Sequence, residues 1–267
     1  MTGHTVLPLK ITERLSLKFY DDADQCQGDS LGLQKGLVLF VGAEPMSGEG
    51  VGFGVPAVKY SDQILFSTTA TLARDKELVK SFSMDAVHRV TWRGKFIDNG
   101  VYRAIQHRLA ETYRATSRFR PTLTRIMQIQ SLLGIKLSHQ KISSRGVVDV
   151  SYRLYGNRLM ITVDSSKLID KDFMGLFVFN EQSADFNIYE DELVTLSDEK
   201  IGVWEEVKSQ KASLTSQILR VTFSVENMAG ARLFRGRELL KPRLNWSGFC
   251  YFIPPQVRQY GYSVRIN

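Results

Sequence analysis

Residues 148–163, VDVSYRLYGNRLMITV, decide the fold class. Val148, Val150, Tyr152 and Leu154 alternate with Asp149, Ser151 and Arg153, and a period of two marks a strand with one face buried. Gly156 and Asn157 then suit a two-residue hairpin turn, because both tolerate left-handed backbone. Arg158–Val163 therefore returns as an antiparallel partner.

The same pattern continues on both sides. Toward the C-terminus, strands are expected at 173–180, 184–189, 201–207, 217–226, 230–235, 247–253 and 260–266, and 217–226 places Leu219, Val221, Phe223 and Val225 on one face. Toward the N-terminus, Leu7, Leu9, Ile11, Leu15, Leu17 and Phe19 share the face of one strand. Glu13 interrupts that face. Residues 21–35 are polar and turn-rich, a loop. The stretches 36–41, 51–58 and 63–72 read as a meander with a tight connection at Tyr60-Ser61-Asp62. In 87–97, His88, Val90, Trp92 and Phe96 face one way, and Arg89, Thr91, Arg93 and Lys95 the other.

At Asp98-Asn99 the period changes. Asn99 suits an N-cap, and Tyr102, Ile105, Leu109, Thr112, Thr116 and Phe119 form a helical stripe. Pro121 ends that helix and opens a second one, which Gly134 caps. No strand–helix alternation repeats, which argues against a doubly wound parallel sheet. The expectation is a mainly β protein: one large antiparallel β-sandwich domain over 1–267 with a helical excursion at 99–134. The alternative is two β-rich lobes joined by a helical pair, with a boundary near 98–146.

Hydrophobic residues make up 43% of the chain, enough to bury a sizeable core. Cys26 and Cys250 are far apart and lack CxxC spacing or paired histidines, so neither a disulfide framework nor a structural zinc site is expected. Met1-Thr2-Gly3-His4 begins no secretory signal, and no apolar run reaches membrane-span length. A cytoplasmic location is the expectation, with no membrane partner, and the Asn245-Trp246-Ser247 sequon is read as incidental.

The net charge of +7 is unevenly placed. Between His88 and Arg145 twelve Lys or Arg face only Asp98 and Glu111, an excess of ten, so the rest of the chain is net negative by three. A concentration of this size favours anionic partners. Arg103, His107, Arg114, Arg118 and Arg125 keep to one side of the expected helix, and Arg89, Arg93 and Lys95 form a second stripe. These arginines suit phosphate or carboxylate groups; a charged helix face is also commonly only a solvated one.

The segment Gly48–Pro56 (GEGVGFGVP) repeats glycine at period two, which would leave bare backbone on one strand face. Gly50, Gly52 and Gly54, with Tyr60, are candidates for ligand approach; the plain alternative is close packing under a bulky neighbour such as Trp92. The dinucleotide fingerprint fails, because Pro56 interrupts it and no helix follows. Glu13, Glu49, His88 and His107 are the candidate catalytic residues, Glu13 and His88 because they fall on apolar faces where burial perturbs ionisation. His4 and His139 are placed in loops. Trp204, Trp246, Phe249 and Tyr251 suit stacking on sugars or bases, or a plain core role. Signatures for nucleotide, metalloprotease, serine-hydrolase and EF-hand chemistry are absent, so no cofactor or metal is expected.

The expected function is binding or processing of an anionic carbohydrate-type ligand, an acidic or phosphorylated sugar, in a cleft of the sandwich. The alternatives are a nucleic-acid-binding protein using the basic 88–145 surface, and an interaction protein without catalysis. Whether the chain is an enzyme, and its oligomeric state, stay open at this stage.

Overall fold

The computed structural model describes residues 8–19, 33–74, 77–92, 95–96, 135–240 and 244–267. The helical excursion expected at 99–134, with Arg103, His107, Arg114 and Arg118, lies outside these residues, as does Arg93.

The described residues form β1 (Leu9–Lys10), β2 (Leu15–Phe19), β3 (Leu37–Val41), β4 (Glu44–Pro45), β5 (Gly52–Tyr60), β6 (Ile64–Phe66), β7 (Thr69–Arg74), β8 (Leu78–Ser83), β9 (Ala86–Trp92), β10 (Lys95–Phe96) and β11 (Ile135–Lys141). There follow β12 (Val147–Tyr155), β13 (Arg158–Asp164), β14 (Phe173–Gln182), β15 (Ile188–Asp191), β16 (Thr195–Ser197), β17 (Glu205–Glu206), β18 (Lys211–Ser216), β19 (Val221–Glu226), β20 (Arg232–Leu240), β21 (Leu244–Ile253) and β22 (Gln259–Ile266).

They make two antiparallel sheets, as the strand periodicity required. The thirteen-stranded sheet runs β1-β2-β3-β5-β14-β21-β20-β17, with β4 on β3, β6 joining β5 to β9, and β10 and β11 flanking β9. The nine-stranded sheet runs β16-β15-β18-β19-β22-β13-β12-β8-β7. The hairpin at 148–163 pairs as its turn residues dictate, Tyr155 opposite Arg158.

The inner faces of the two sheets share one core. Val148, Val150, Tyr152, Leu159, Ile161 and Val163 are buried on the nine-stranded side, and Val178, Phe249, Tyr251 and Ile253 on the other. Phe223 meets Phe53 edge-on at 5.4 Å and Phe249 at 5.8 Å across the interface. Two phenols bind the sheets together: Tyr152 donates to the carbonyl of Phe53 or Gly54, at 3.2 and 3.1 Å, and Tyr262 donates to Asn180 Oδ1 at 2.8 Å. Buried phenols need such partners, because an unpaired hydroxyl in a core forfeits its hydration.

Several local readings are corrected. Residues 7–19 do not make one strand: β1 folds back on β2, Leu9 opposite Leu17. Thr12 Oγ1 accepts from the backbone N–H of Arg14 and of Leu15, at 3.2 and 2.9 Å, and so holds the turn. Glu13 therefore sits exposed at the turn, not on an apolar face. The strand expected at 63–72 divides into β6 and β7, which belong to different sheets. His139 is not in a loop but on β11, opposite His88 on β9. Strands β4, β8, β11, β16 and β18 were not expected, and the strand expected at 201–207 is reduced to β17, after a 3-10 turn at Asp198–Ile201.

Candidate functional site

Strand β14 is apolar on both faces. Leu176 and Val178 lie in the core, while Phe177 and Phe179 alternate with them on the other face of the strand and are half-buried, Phe179 still packed against core residues. A sheet face turned from the core normally carries polar side chains. Here the outward rings continue across neighbouring strands. Phe177 lies 5.0 Å from Phe252, its cross-strand partner on β21, and 6.3 Å from Phe179. Phe179 lies 5.5 Å from Trp204, and Trp204 stacks on Trp246 at 4.7 Å with their planes 16° apart.

Phe252, Phe177, Phe179, Trp204 and Trp246 thus form a continuous aromatic row. Both ends rest on glycine. A Cβ at Gly175 would come within 2.8 Å of the Phe252 ring, and one at Gly236 within 2.8 Å of Trp246 Cη2. Trp204 itself has φ of 57°, a left-handed backbone uncommon for an aromatic residue. The strain is held by the stack on one side and the Phe179 contact on the other.

Polar groups border the row. Arg232 clamps Glu206 through two hydrogen bonds of 2.8 and 2.9 Å and lies 5.1 Å over the Phe234 ring. Arg235 lies on the other face of the sheet, its guanidinium 4.5 Å over the buried Tyr189 ring and 2.9 Å from Glu205. At the Trp246 end the indole N–H donates to Glu238 Oε2 at 3.1 Å. Nearby Glu181 is buried and its Oε2 accepts from the Val51 N–H at 3.2 Å. Burial, chiefly, and then the Glu238 carboxylate push the Glu181 carboxyl up to about 7, against the pull of the Val51 hydrogen bond and of Lys35.

The glycine segment is closed to ligands. Gly50, Gly52 and Gly54 are buried. A Cβ on Gly54 would meet the Tyr152 hydroxyl at 2.8 Å, one on Gly52 the Leu37 carbonyl and one on Gly50 the Gln182 carbonyl, both at the same 2.8 Å. The close neighbour at Gly54 is Tyr152, and the face read as bare backbone is filled by protein. Tyr60 is buried with its hydroxyl on the Ile169 carbonyl at 3.1 Å.

The catalytic candidates do not converge. Glu13 is on the β1–β2 turn, and Glu49 is on the turn before β5, its N–H on the Asn245 carbonyl at 2.9 Å. His88 packs against His139 at 4.1 Å and Phe66 at 4.0 Å. Burial and the neighbouring His139 lower its pKa to about 3. The strands of Glu13 and His88 do not pair, so no carboxylate–imidazole couple forms. His107 is outside the described residues. Arg89 is half-buried, with its Nε 3.3 Å from Gln140 Oε1. Of the basic stripe, only this residue is described among the proposed ligand-binding arginines.

Sequence reading named Trp204 and Trp246 but missed Phe177, Phe179 and Phe252. The available signal was FMGLFVFN at 173–180, a strand with no polar face.

On the outer face of the nine-stranded sheet lies a second feature, a groove of about 330 Å³ bordered by Arg158, Arg265, Lys211, Glu190 and Glu226. It has no aromatic floor, and its charges answer one another: Lys211 stands opposite Glu226, and Arg158 is 3.8 Å from the same carboxylate. The aromatic row is the stronger site, because it is apolar and partly open: Phe177, Phe179, Trp204 and Phe252 are each half-buried, while Trp246 is buried against Trp204. Among the described residues no three His, Cys, Asp or Glu side chains converge as metal ligands, and no helix is long and apolar enough to cross a membrane.

Fold and row together define a β-sandwich with an aromatic platform on one outer sheet. No protein-family model matches the chain, and no curated protein matches it either.

Proposed function

We propose that the protein is a saccharide-binding β-sandwich whose platform is the row Phe252–Phe177–Phe179–Trp204–Trp246. The observation that carries this reading is the continuity of five rings, four from the strands β14 and β21 and Trp204 from the turn before β17, of which all but the buried Trp246 are partly exposed. Ring faces are electron-rich, and the C–H edges of a pyranose carry partial positive charge, so a sugar stacks on them without surrendering its hydroxyls. Glu206, Arg232 and Glu238 at the border supply donors and acceptors for those hydroxyls. Arg232 is already paired with Glu206, which favours a neutral saccharide here over the anionic one that the sequence led us to expect near the glycine segment and Tyr60.

The test is a titration of the full chain against a panel of neutral oligosaccharides, followed by calorimetry, beside Trp204→Ala and Phe177→Ala. Each variant should weaken binding at least ~10-fold, in line with the loss of a stacked ring. Binding that survives both substitutions, or a panel without any ligand, would remove the proposal. A single-stranded oligonucleotide arm separates the nearest competitor, since bases stack on such rings too. Tighter binding of the oligonucleotide than of any saccharide would assign the row to nucleic acid.

A further inference from the structure

At one end of the sandwich two guanidiniums lie on two rings. Arg145 Cζ is 4.8 Å from the centre of the Tyr60 ring, and Arg258 Cζ is 4.3 Å from that of Phe173. The rings themselves meet edge to face at 6.2 Å. Five segments build this arrangement: the end of β5, the start of β14, the β13–β14 loop, the β11–β12 connection with Arg145 and the β21–β22 connection with Arg258. The loop is anchored at both arginines. Ile169 N–H donates to the Arg145 carbonyl at 3.0 Å, and Ser165 N–H to the Arg258 carbonyl at 2.8 Å. Tyr60 adds its hydroxyl to the Ile169 carbonyl.

The charges do not balance. Arg258 pairs with Asp170, whose side chain is 82% exposed on that loop. Arg145 makes no ion pair among the described residues, and Arg258 Nη1 is buried without a hydrogen-bond partner among them. Both guanidiniums act on the Tyr60 phenol, offsetting part of the rise that burial causes, so the two positive charges reach a common point. Two cations and one solvent-exposed carboxylate leave an unmet demand for negative charge.

We propose that Arg145 and Arg258 form a seat for a tetrahedral oxyanion, a phosphate or sulfate group on a small ligand, which Asp170 now holds in its place. The rings fix each guanidinium in orientation and shield it from water on one face, which lowers the cost of ordering it on binding. A tetrahedral group offers oxygens to more than one fork, whereas Asp170 pairs with Arg258 from a side chain largely in solvent. An incoming oxyanion therefore competes against a weak, exposed tie.

The experiment is a titration of the full chain with inorganic phosphate and with sulfate, against chloride and acetate at equal ionic strength, reading thermal unfolding and calorimetric heat. Phosphate or sulfate should raise Tm saturably, as a ligand of the native state must. Asp170→Asn should tighten phosphate binding roughly 3- to 10-fold by removing the competitor, and Arg145→Gln should weaken it at least ~10-fold. Arg145 is half-exposed and Asp170 is on the surface, so both variants should fold even if an Arg258 variant does not. An equal Tm rise in chloride or acetate, or phosphate affinity unmoved by either substitution, would overturn the proposal. Saccharide binding at the aromatic row is expected to be the same in Arg145→Gln, so the two sites stand or fall separately.

Discussion

At the scale of single residues, ionisation and backbone geometry act where the sequence pattern is silent. Glu181 is buried on the outward side of β14, with a carboxyl at about 7 against an ordinary 4.5. The fold therefore favours its protonated form. Its contribution is fully present below about pH 4.5 and is lost as pH rises through 7. Chain stability should fall over that window, by something on the order of 2–3 kcal/mol from this group alone. Glu181→Gln keeps an acceptor for the Val51 N–H and has no charge to bury. Urea unfolding at several pH values should show a flatter profile for it between pH 5 and 7.5; an unchanged slope would mean that another group carries the effect. Neither this carboxyl nor its neighbour Glu238 was legible beforehand, because 181 and 238 are brought together only by the β14-β21-β20 pairing. The glycine segment teaches the converse. Its spacing stands out in the sequence, yet Gly54, at φ of 76° under the Tyr152 ring, serves packing. Periodic glycine says that something approaches the backbone, and only the fold says whether that is ligand or protein.

Among elements, the crossing from one sheet to the other is where sequence reading failed and where chemistry explains the failure. Residues 63–72 contain no proline or glycine, and their β propensity is continuous, so they read as one strand. The break between β6 and β7 is imposed by Asp85, sixteen and seventeen residues away in the chain. Its carboxylate accepts from the Thr68 N–H at 2.8 Å, from Thr68 Oγ1 at 3.0 Å and from Thr69 Oγ1 at 2.6 Å. These bonds replace the ladder bonds that the bend gives up. Asp85 is only 4% exposed, so its removal would leave a part-buried N–H unpaired. Asp85→Ala should cost about 2–3 kcal/mol in chemical denaturation, and Asp85→Asn clearly less, since its carbonyl can still serve Thr68. Equal losses for the two would show that the hydrogen bonds to the carbonyl position are not what matters. The hairpin at 148–163, by contrast, was readable in full: its alternation and its Gly156-Asn157 turn are local, and local signals need no partner to be interpreted.

Over the whole molecule, the strand content and antiparallel class follow from periodicity, but the order of strands does not. A register such as Phe177 opposite Phe252 joins positions seventy-five residues apart, and nothing in either segment names the other. The same limit applies to charge. The excess of ten positive charges between His88 and Arg145 suggests that long-range attraction governs binding. The proposed platform makes a different demand, because Arg232 beside it is already matched by Glu206. Stacking of a neutral sugar depends on contact and dehydration, which salt hardly alters, whereas attraction between separated charges is screened within about 10 Å at 0.1 M salt. Saccharide affinity should therefore change by less than about twofold between ~0.05 and ~0.5 M sodium chloride. A phosphate-rich polymer drawn to the basic segment would instead lose affinity by orders of magnitude across that range, one counterion for each phosphate neutralised. Measuring one ligand of each kind over the same salt series separates a local platform from a whole-molecule field. Steep salt dependence for the saccharide would place its binding among the cations and away from the five rings.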